Sequence, residues 1–307
     1  MPLSDVITCL RNGDEVSDAI LIDLSGLDQE ELSALQPEWS GVAPERRRKA
    51  VDRLVKLAAD DVRLSFEGVF WGRLEDEDAE IRERAIDGLW ECEDTRLIEP
   101  LVRLLVEDSS EAVRMRAAEA LGRFAVLAEC GQLPPARAEL VQQALLDAVD
   151  QSSATAEVRC QALESLGALG LPEVTAVIMG AYENTDDRMR LSAVRAMGRS
   201  CDPSWLPMLL KEVSSTDREL RRDAAAALGE IGEEDAVDRL ADLLYDDDTG
   251  VRLTTVKALE ELGGPVAVEA LKQALADSEE AVADAAEEAL GSLANLDDLS
   301  SFRVSDE

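Results

Sequence analysis

The pattern that most restricts this chain is a phrase repeated in register: an apolar residue, an arginine, two variable residues, a run of small residues, then Leu or Met and often Gly. It runs from Ile81-Arg82 to Leu89, Val113-Arg114 to Gly122, Val158-Arg159 to Gly167, Met189-Arg190 to Gly198, Leu220-Arg221 to Gly229 and Val251-Arg252 to Leu259. A seventh copy, Val282-Ala283 to Gly291, keeps the frame without the arginine. Successive arginines lie 32, 45, 31, 31 and 31 residues apart. A period of that size belongs to chains that stack one small unit on the next, each burying its apolar side only against its neighbours.

Within a copy, the apolar residue, the small residue four later and the Leu or Met eight later share one stripe of a 3.6-residue helix, and that stripe is core. Three positions before the apolar residue stand Asp78, Ser110, Thr155, Asp186, Asp217, Asp248 and Glu279. These are mostly N-cap types that accept from free helix N–H groups, each stabilising by about 1 kcal/mol. A second apolar helix follows each phrase after a short turn, as at Leu97 to Val106, Ala236 to Leu244 and Val266 to Leu275. Pro100 and Pro207 fit first turns of such helices. Gly122, Gly167, Gly198, Gly229 and Gly291 mark close approach or a helix end. Helix, turn, helix is the unit.

The repeated phrase resembles HEAT repeats of the phycobilisome-lyase subclass over about residues 76–293. The resemblance implies an all-α chain, a right-handed α-solenoid of stacked antiparallel helix pairs. It also implies that the phrase helix lines the concave side and that its arginine pairs with aspartates along the stack. Arg82, Arg114, Arg159, Arg190, Arg221 and Arg252 are then structural ladder members rather than ligand contacts. The expected organisation is a diverged N-terminal cap over residues 1–44, seven to eight helix pairs over 45–296, and an acidic tail over 297–307. In the cap, Val6 to Leu10 suggests a short helix. Asp28 with Glu31 forms a capping box opening a helix that Pro37 should stop. Trp71 and Trp90 are expected in packed positions.

Composition limits the chemistry. The 307 residues include no histidine, which removes the commonest general base at neutral pH and the Ser-His-Asp and Cys-His pairings. It also sets the chain apart from deoxyhypusine hydroxylase, a HEAT-repeat enzyme that relies on His-Glu iron ligands. The five cysteines, Cys9, Cys92, Cys130, Cys160 and Cys201, include no Cys-x-x-Cys pair, so they are expected as reduced thiols, not a disulfide framework or zinc site. Neither a signal-peptide pattern nor a long apolar run appears. The expectation is a soluble, cytoplasmic, noncatalytic chain with no cofactor and no metal.

The charge balance, 31 bases against 66 acids or −35, repels polyanions and disfavours nucleic acid. The exception to weigh is a basic stripe at helical spacing, Arg46, Lys49, Arg53 and Lys56, with Arg47 and Arg48 beside it; it reads as an intramolecular or partner-facing charge patch ahead of an RNA contact. Residues 1–44 hold one base and nine acids, and residues 273–307 one base and ten acids. Such a field attracts a basic protein, although a salt-rich cytoplasm would select the same composition.

If the small-residue stripe is core, the opposite face carries Glu83, Asp87 and Glu91; Met115, Glu119 and Arg123; Cys160 and Glu164; Leu191, Arg195 and Arg199; Arg222, Ala226 and Glu230; and Leu253, Lys257 and Glu261. Aligned apolar residues there, Met115, Cys160, Leu191 and Leu253, signal a binding groove unless the helix rotation is misjudged, which would return them to the core. The 45-residue interval predicts a lengthened turn over Phe124 to Ala136. The functional expectation is an adaptor that grips a protein or peptide, a basic one among the candidates, on the concave face through Met115, Glu119, Arg123, Cys160, Glu164, Leu191, Arg195, Arg199, Arg222, Leu253 and Lys257. The alternatives are a subunit of a bilin lyase-like enzyme, for which the shared repeat is the only warrant, and a nucleic-acid binder using residues 46–56.

Overall fold

The computed structural model describes residues 3–12, 17–151 and 154–303. The described residues form α-helices and short 3-10 turns, with no strand among them. The helices group into two compact units, residues 1–158 and 159–307.

The first unit opens with α1 (Leu3–Asn12), α2 (Asp18–Leu21) and α3 (Gln29–Trp39). Asp28 accepts from the Glu30 and Glu31 N–H groups while Glu31 reaches back to Asp28 N, the capping box in full. Pro37 does not stop α3, which continues to Trp39. The last turn is anchored from outside: the Trp39 ring is buried and its Nε1 donates to Asp76 at 3.0 Å. α1 and α2 rest on α4 (Pro44–Asp60), so apolar residues of the cap, Val6, Leu10 and Leu21, meet the first long helix out of water. The unit continues through α5 (Glu67–Trp71), α6 (Ala79–Gly88), α7 (Ile98–Glu107), α8 (Glu111–Glu129) and α9 (Pro135–Asp150), with α4, α6 and α8 packed side by side.

The 45-residue interval is filled by helix rather than by a lengthened turn. α8 has 19 residues and α9 has 16, and only Cys130 to Pro134 joins them. The apolar stripe of α8 continues past Leu121 through Phe124 and Ala125, both fully buried. Continued burial therefore extends the helix until Gly131, at φ 68°, ends it.

α10 (Ala156–Leu166) begins at the last residues of the first unit. The second unit holds α11 (Pro172–Tyr182), α12 (Asp187–Arg199), α13 (Leu206–Glu212), α14 (Arg218–Ile231), α15 (Val237–Leu243), α16 (Thr249–Leu262), α17 (Gly264–Ala274) and α18 (Glu280–Arg303). Here α12, α14, α16 and α18 pack in succession, and α13, α15 and α17 form the other layer. Asp186, Asp217 and Asp248 each cap their helix through the side chain, as Asp78 does in the first unit, whereas Ser110 makes no such bond. Helix α18 carries through the expected tail boundary at 297, and residues 304–307 lie outside the described residues.

Two glycines set the spacing of the second unit. A Cβ at Gly198 would lie 2.7 Å from Ala227 Cα, and one at Gly229 would lie 2.8 Å from Ala258 Cα. Neighbouring phrase helices thus meet backbone to backbone, which places Arg and Asp side chains of adjacent turns within bonding reach.

Candidate functional site

Three of the phrase arginines, Arg82, Arg221 and Arg252, share one geometry. Arg82 uses its Nε and Nη2 edge to grip both oxygens of Asp108 at 2.7 Å, while Nη1 donates to the carbonyl of Asp76, six residues earlier, at 2.8 Å. Arg221 grips Asp246 at 2.6 and 2.8 Å and donates to the Ser215 carbonyl. Arg252 grips Asp277 at 2.8 and 3.1 Å and donates to the Asp246 carbonyl. Arg114 makes the same backbone bond to Asp108. Each of these aspartates also accepts the N–H two residues on, at Ser110, Asp248 and Glu279. One carboxylate therefore joins the arginine behind it to the start of the next helix. Where that position holds Asn184 or Ser215, the pattern bends: Arg190 instead reaches Glu212 at 2.7 Å, beside the Tyr182 ring. Arg159 acts on Asp186, whose carboxyl Arg188 holds below its ordinary value with Arg159 adding to the shift.

The acids of this ladder went unnamed in the sequence reading, yet a signal exists. Asp76, Asp108, Asp246 and Asp277 each stand two places before the N-cap position. The ladder also begins one repeat earlier than the phrase. Arg47, 3% exposed, pairs with Asp76 and Glu77.

That pairing changes the meaning of the basic stripe. Arg46 donates to the Leu10 and Cys9 carbonyls at the end of α1, Arg48 pairs with Asp78, Arg53 grips Asp18 bidentately and Lys56 pairs with Asp52. Arg46 and Arg53 fasten the cap to α4, Arg47 and Arg48 tie α4 to the start of α6, and Lys49 is left as an exposed cation.

The expected partner-binding residues divide into three groups. Met115, Cys160, Leu191 and Leu253 are half-buried rather than exposed, because close helix approach covers the flanks of each stripe; Cys160 Sγ lies 3.6 Å from Met189 Sδ, and burial raises its thiol. Glu164, Arg195 and Arg222 belong to an internal network. Glu164 is buried and accepts from Ser192 Oγ and Arg195 Nη1, while Arg195 and Arg222 converge on buried Asp223. Arg199 donates to the Glu164 carbonyl. Near it, burial holds Glu230 above the ordinary carboxylate value, with Arg199 opposing and Glu261 adding to the shift. Glu119 and Lys257 are exposed.

Glu119 and Arg123 border the feature that the sequence reading missed. A groove of about 370 Å³ in the first unit is lined by Ile86, Asp87, Trp90, Arg116, Glu119, Ala120 and Arg123. Trp90 is 69% exposed, against the expectation of packing. It occupies the place where other copies have Gly122, Gly167, Gly198 and Gly229. Gly88, two residues earlier, instead lies close against α5, where a Cβ would strike the Phe70 ring at 2.5 Å. Arg116 bridges Asp87 at 3.0 Å and Glu119 at 2.8 Å, and with Arg123 it balances the two carboxylates of the groove rim. Arg123 donates to the Leu89 and Cys92 carbonyls, and burial pulls its guanidinium below the ordinary value. Among the described residues no cluster of cysteine, aspartate and glutamate is arranged for a metal ion.

Ladder-linked helix pairs in succession define an α-solenoid. The chain belongs to the HEAT-repeat family, whose model matches residues 68–155, 143–212 and 206–291. No curated protein matches it. Among solved structures it is similar to the complex of CpcE and CpcF of phycocyanin lyase from Nostoc sp. PCC7120, with 20% identity, a TM-score of 0.54 and coverage of 92% of this chain and 97% of that one. It is also similar to Kap95p bound to RanGDP, with 13% identity, a TM-score of 0.53 and coverage of 95% of this chain and 46% of that one. Importin beta gives 16% identity, a TM-score of 0.52 and coverage of 95% and 44%. These likenesses are of fold. No helix among the described residues is long and apolar enough to cross a membrane.

Proposed function

We propose that this protein is a noncatalytic cytoplasmic adaptor that binds another protein or peptide through the face its phrase helices leave open, with the Trp90 groove as an anchor point. The observation that carries the reading is Trp90 itself: a large ring, 69% exposed, beside Ile86 and Ala120. Exposed tryptophans beside a pocket are the residues that dominate protein interfaces when covered. The two carboxylates of the rim are balanced by Arg116 and Arg123, so a partner meets an apolar floor without having to desolvate a lone charge. The formal charge of −35 favours encounter with a basic partner. Other HEAT solenoids act on proteins, as Kap95p does on RanGDP. A chain without histidine whose phrase arginines and ladder acids neutralise one another is equipped to hold rather than to react.

Affinity capture from the native cell, followed by mass spectrometry, tests this with Trp90→Ala beside the unaltered protein. The variant should keep its melting temperature and lose a specific set of captured proteins. Identical capture by both would remove the groove from consideration.

A further inference from the structure

At Arg73 the fork by which this protein holds carboxylates is buried without a carboxylate in it. Arg47, Arg73 and Arg252 are buried arginines, at 3%, 3% and 8% exposure. Arg47 is paired with Asp76 and Glu77, and Arg252 with Asp277. Arg73 has no carboxylate partner among the described residues. Its Nη2 donates to the amide oxygen of Gln36, and its Nε is buried with no acceptor at all. The same Nε and Nη2 edge grips Asp108 in Arg82, Asp246 in Arg221 and Asp277 in Arg252. Asp76 cannot serve, because its oxygens already accept from Arg47, Trp39 Nε1 and the Asp78 N–H. The Trp39 ring, 4.6 Å from the guanidinium, covers its face and leaves the edge unsatisfied.

Arg73 lines a cleft of about 540 Å³ between α3 and α5, together with Leu32, Gln36, Glu67, Trp71 and Arg96. That volume suits a small organic ligand. Leu32 and Trp71 are half-buried and offer an apolar wall, while Gln36 is exposed and free to turn away. Arg96 is already engaged by Asp94, and Glu67 accepts from Trp71 Nε1 and Cys92 Sγ. The acidic side chain of Glu67 beside the cleft disfavours a ligand that brings a second negative charge.

We propose that the cleft between α3 and α5 is a binding site for a small monocarboxylate with a flat apolar body, its carboxylate displacing Gln36 to take both Nε and Nη2 of Arg73 and its body lying on Leu32 and Trp71. A planar carboxylate matches the guanidinium fork, and a bidentate charge-assisted pair outcompetes a single amide oxygen. Burial pulls Arg73 down to about 10, with Asp76 opposing the shift and Arg47 adding to it, and a carboxylate in the fork would add a directly bonded counter-charge. This site does not depend on the protein-binding reading, since it shares no lining residue with the Trp90 groove and needs no macromolecular partner.

The experiment titrates the full chain with phenylacetate, its neutral isostere phenylacetamide, and inorganic phosphate, following arginine Nε–H signals by NMR. Phenylacetate should move one buried Nε–H, assigned to Arg73 by its absence in Arg73→Lys. Phenylacetamide should leave it in place, and phosphate should bind more weakly than phenylacetate because of Glu67. Arg73→Lys, which keeps the charge but loses the fork, should weaken phenylacetate at least about tenfold. Gln36→Ala, an exposed change that leaves the fold intact, should tighten it about two- to tenfold by removing the competing acceptor. The proposal is overturned if acid and amide act alike, if phosphate binds better than phenylacetate, if Gln36→Ala weakens binding, or if millimolar phenylacetate leaves the Arg73 signal unmoved.

Discussion

Replacing Asp246 with alanine isolates the ladder, because this one side chain takes two bonds from Arg221 and one from the Asp248 N–H. The side chains of Arg221 and Asp246 are 17% and 8% exposed, so water replaces little of what is lost. Removing one partner of a buried pair costs about 3–5 kcal/mol. Arg221 retains its Ser215 carbonyl and can lean toward solvent, which sets the expectation for Asp246→Ala near the low end, about 3 kcal/mol. Urea denaturation followed by circular dichroism measures it. A double-mutant cycle supplies the decisive comparison: Arg221→Met combined with Asp246→Leu should cost far less than the sum of the single changes, because the pair leaves together and no charge is stranded. A loss below about 0.5 kcal/mol for Asp246→Ala, the value of a surface ion pair, or strict additivity in the cycle would refute the claim that the ladder ties successive repeats together.

Three further outcomes follow from the same geometry. Arg221 and Arg252 hold Asp246 and Asp277 below the ordinary carboxylate value, so their contribution is complete above about pH 4 and fades as pH falls further through the depressed folded values; the stability gap between wild type and Asp277→Asn, measured by urea titration at each pH, should stay constant above that point and close below it, and a gap that opens on acidification would contradict the sign. Gly229→Ala should destabilise by about 1 kcal/mol despite the better helix former, since the new Cβ meets Ala258 backbone at 2.8 Å, whereas Gly180→Ala on α11, with open space around it, should stabilise by up to about 1 kcal/mol in the same thermal melt. In a thiol-reagent time course at mild alkaline pH, exposed Cys130 and Cys201 should react first and Cys92 last, because burial pushes the Cys92 thiol up to about 11.

The sequence determined the helix pairs and their core stripe, for a reason rooted in short range. A 3.6-residue helix fixes which of Val251, Thr255 and Leu259 share a face, and an Asp three places upstream caps it whatever the surroundings. Contacts between helices were decided elsewhere. Half-burial of Leu191 and Leu253 depends on how far each helix turns about its axis and how near Gly198 and Gly229 let the next one come, and a few ångströms of approach separate a groove from a wall. The same holds for the basic stripe, whose arginines reach carbonyls and carboxylates some 30 or more residues away. Trp90 and Arg73 show the division most plainly. Their types and positions are plain in the sequence, but a ring turned out to water and a guanidinium left without a carboxylate are properties of neighbours brought together by folding, which no local period encodes.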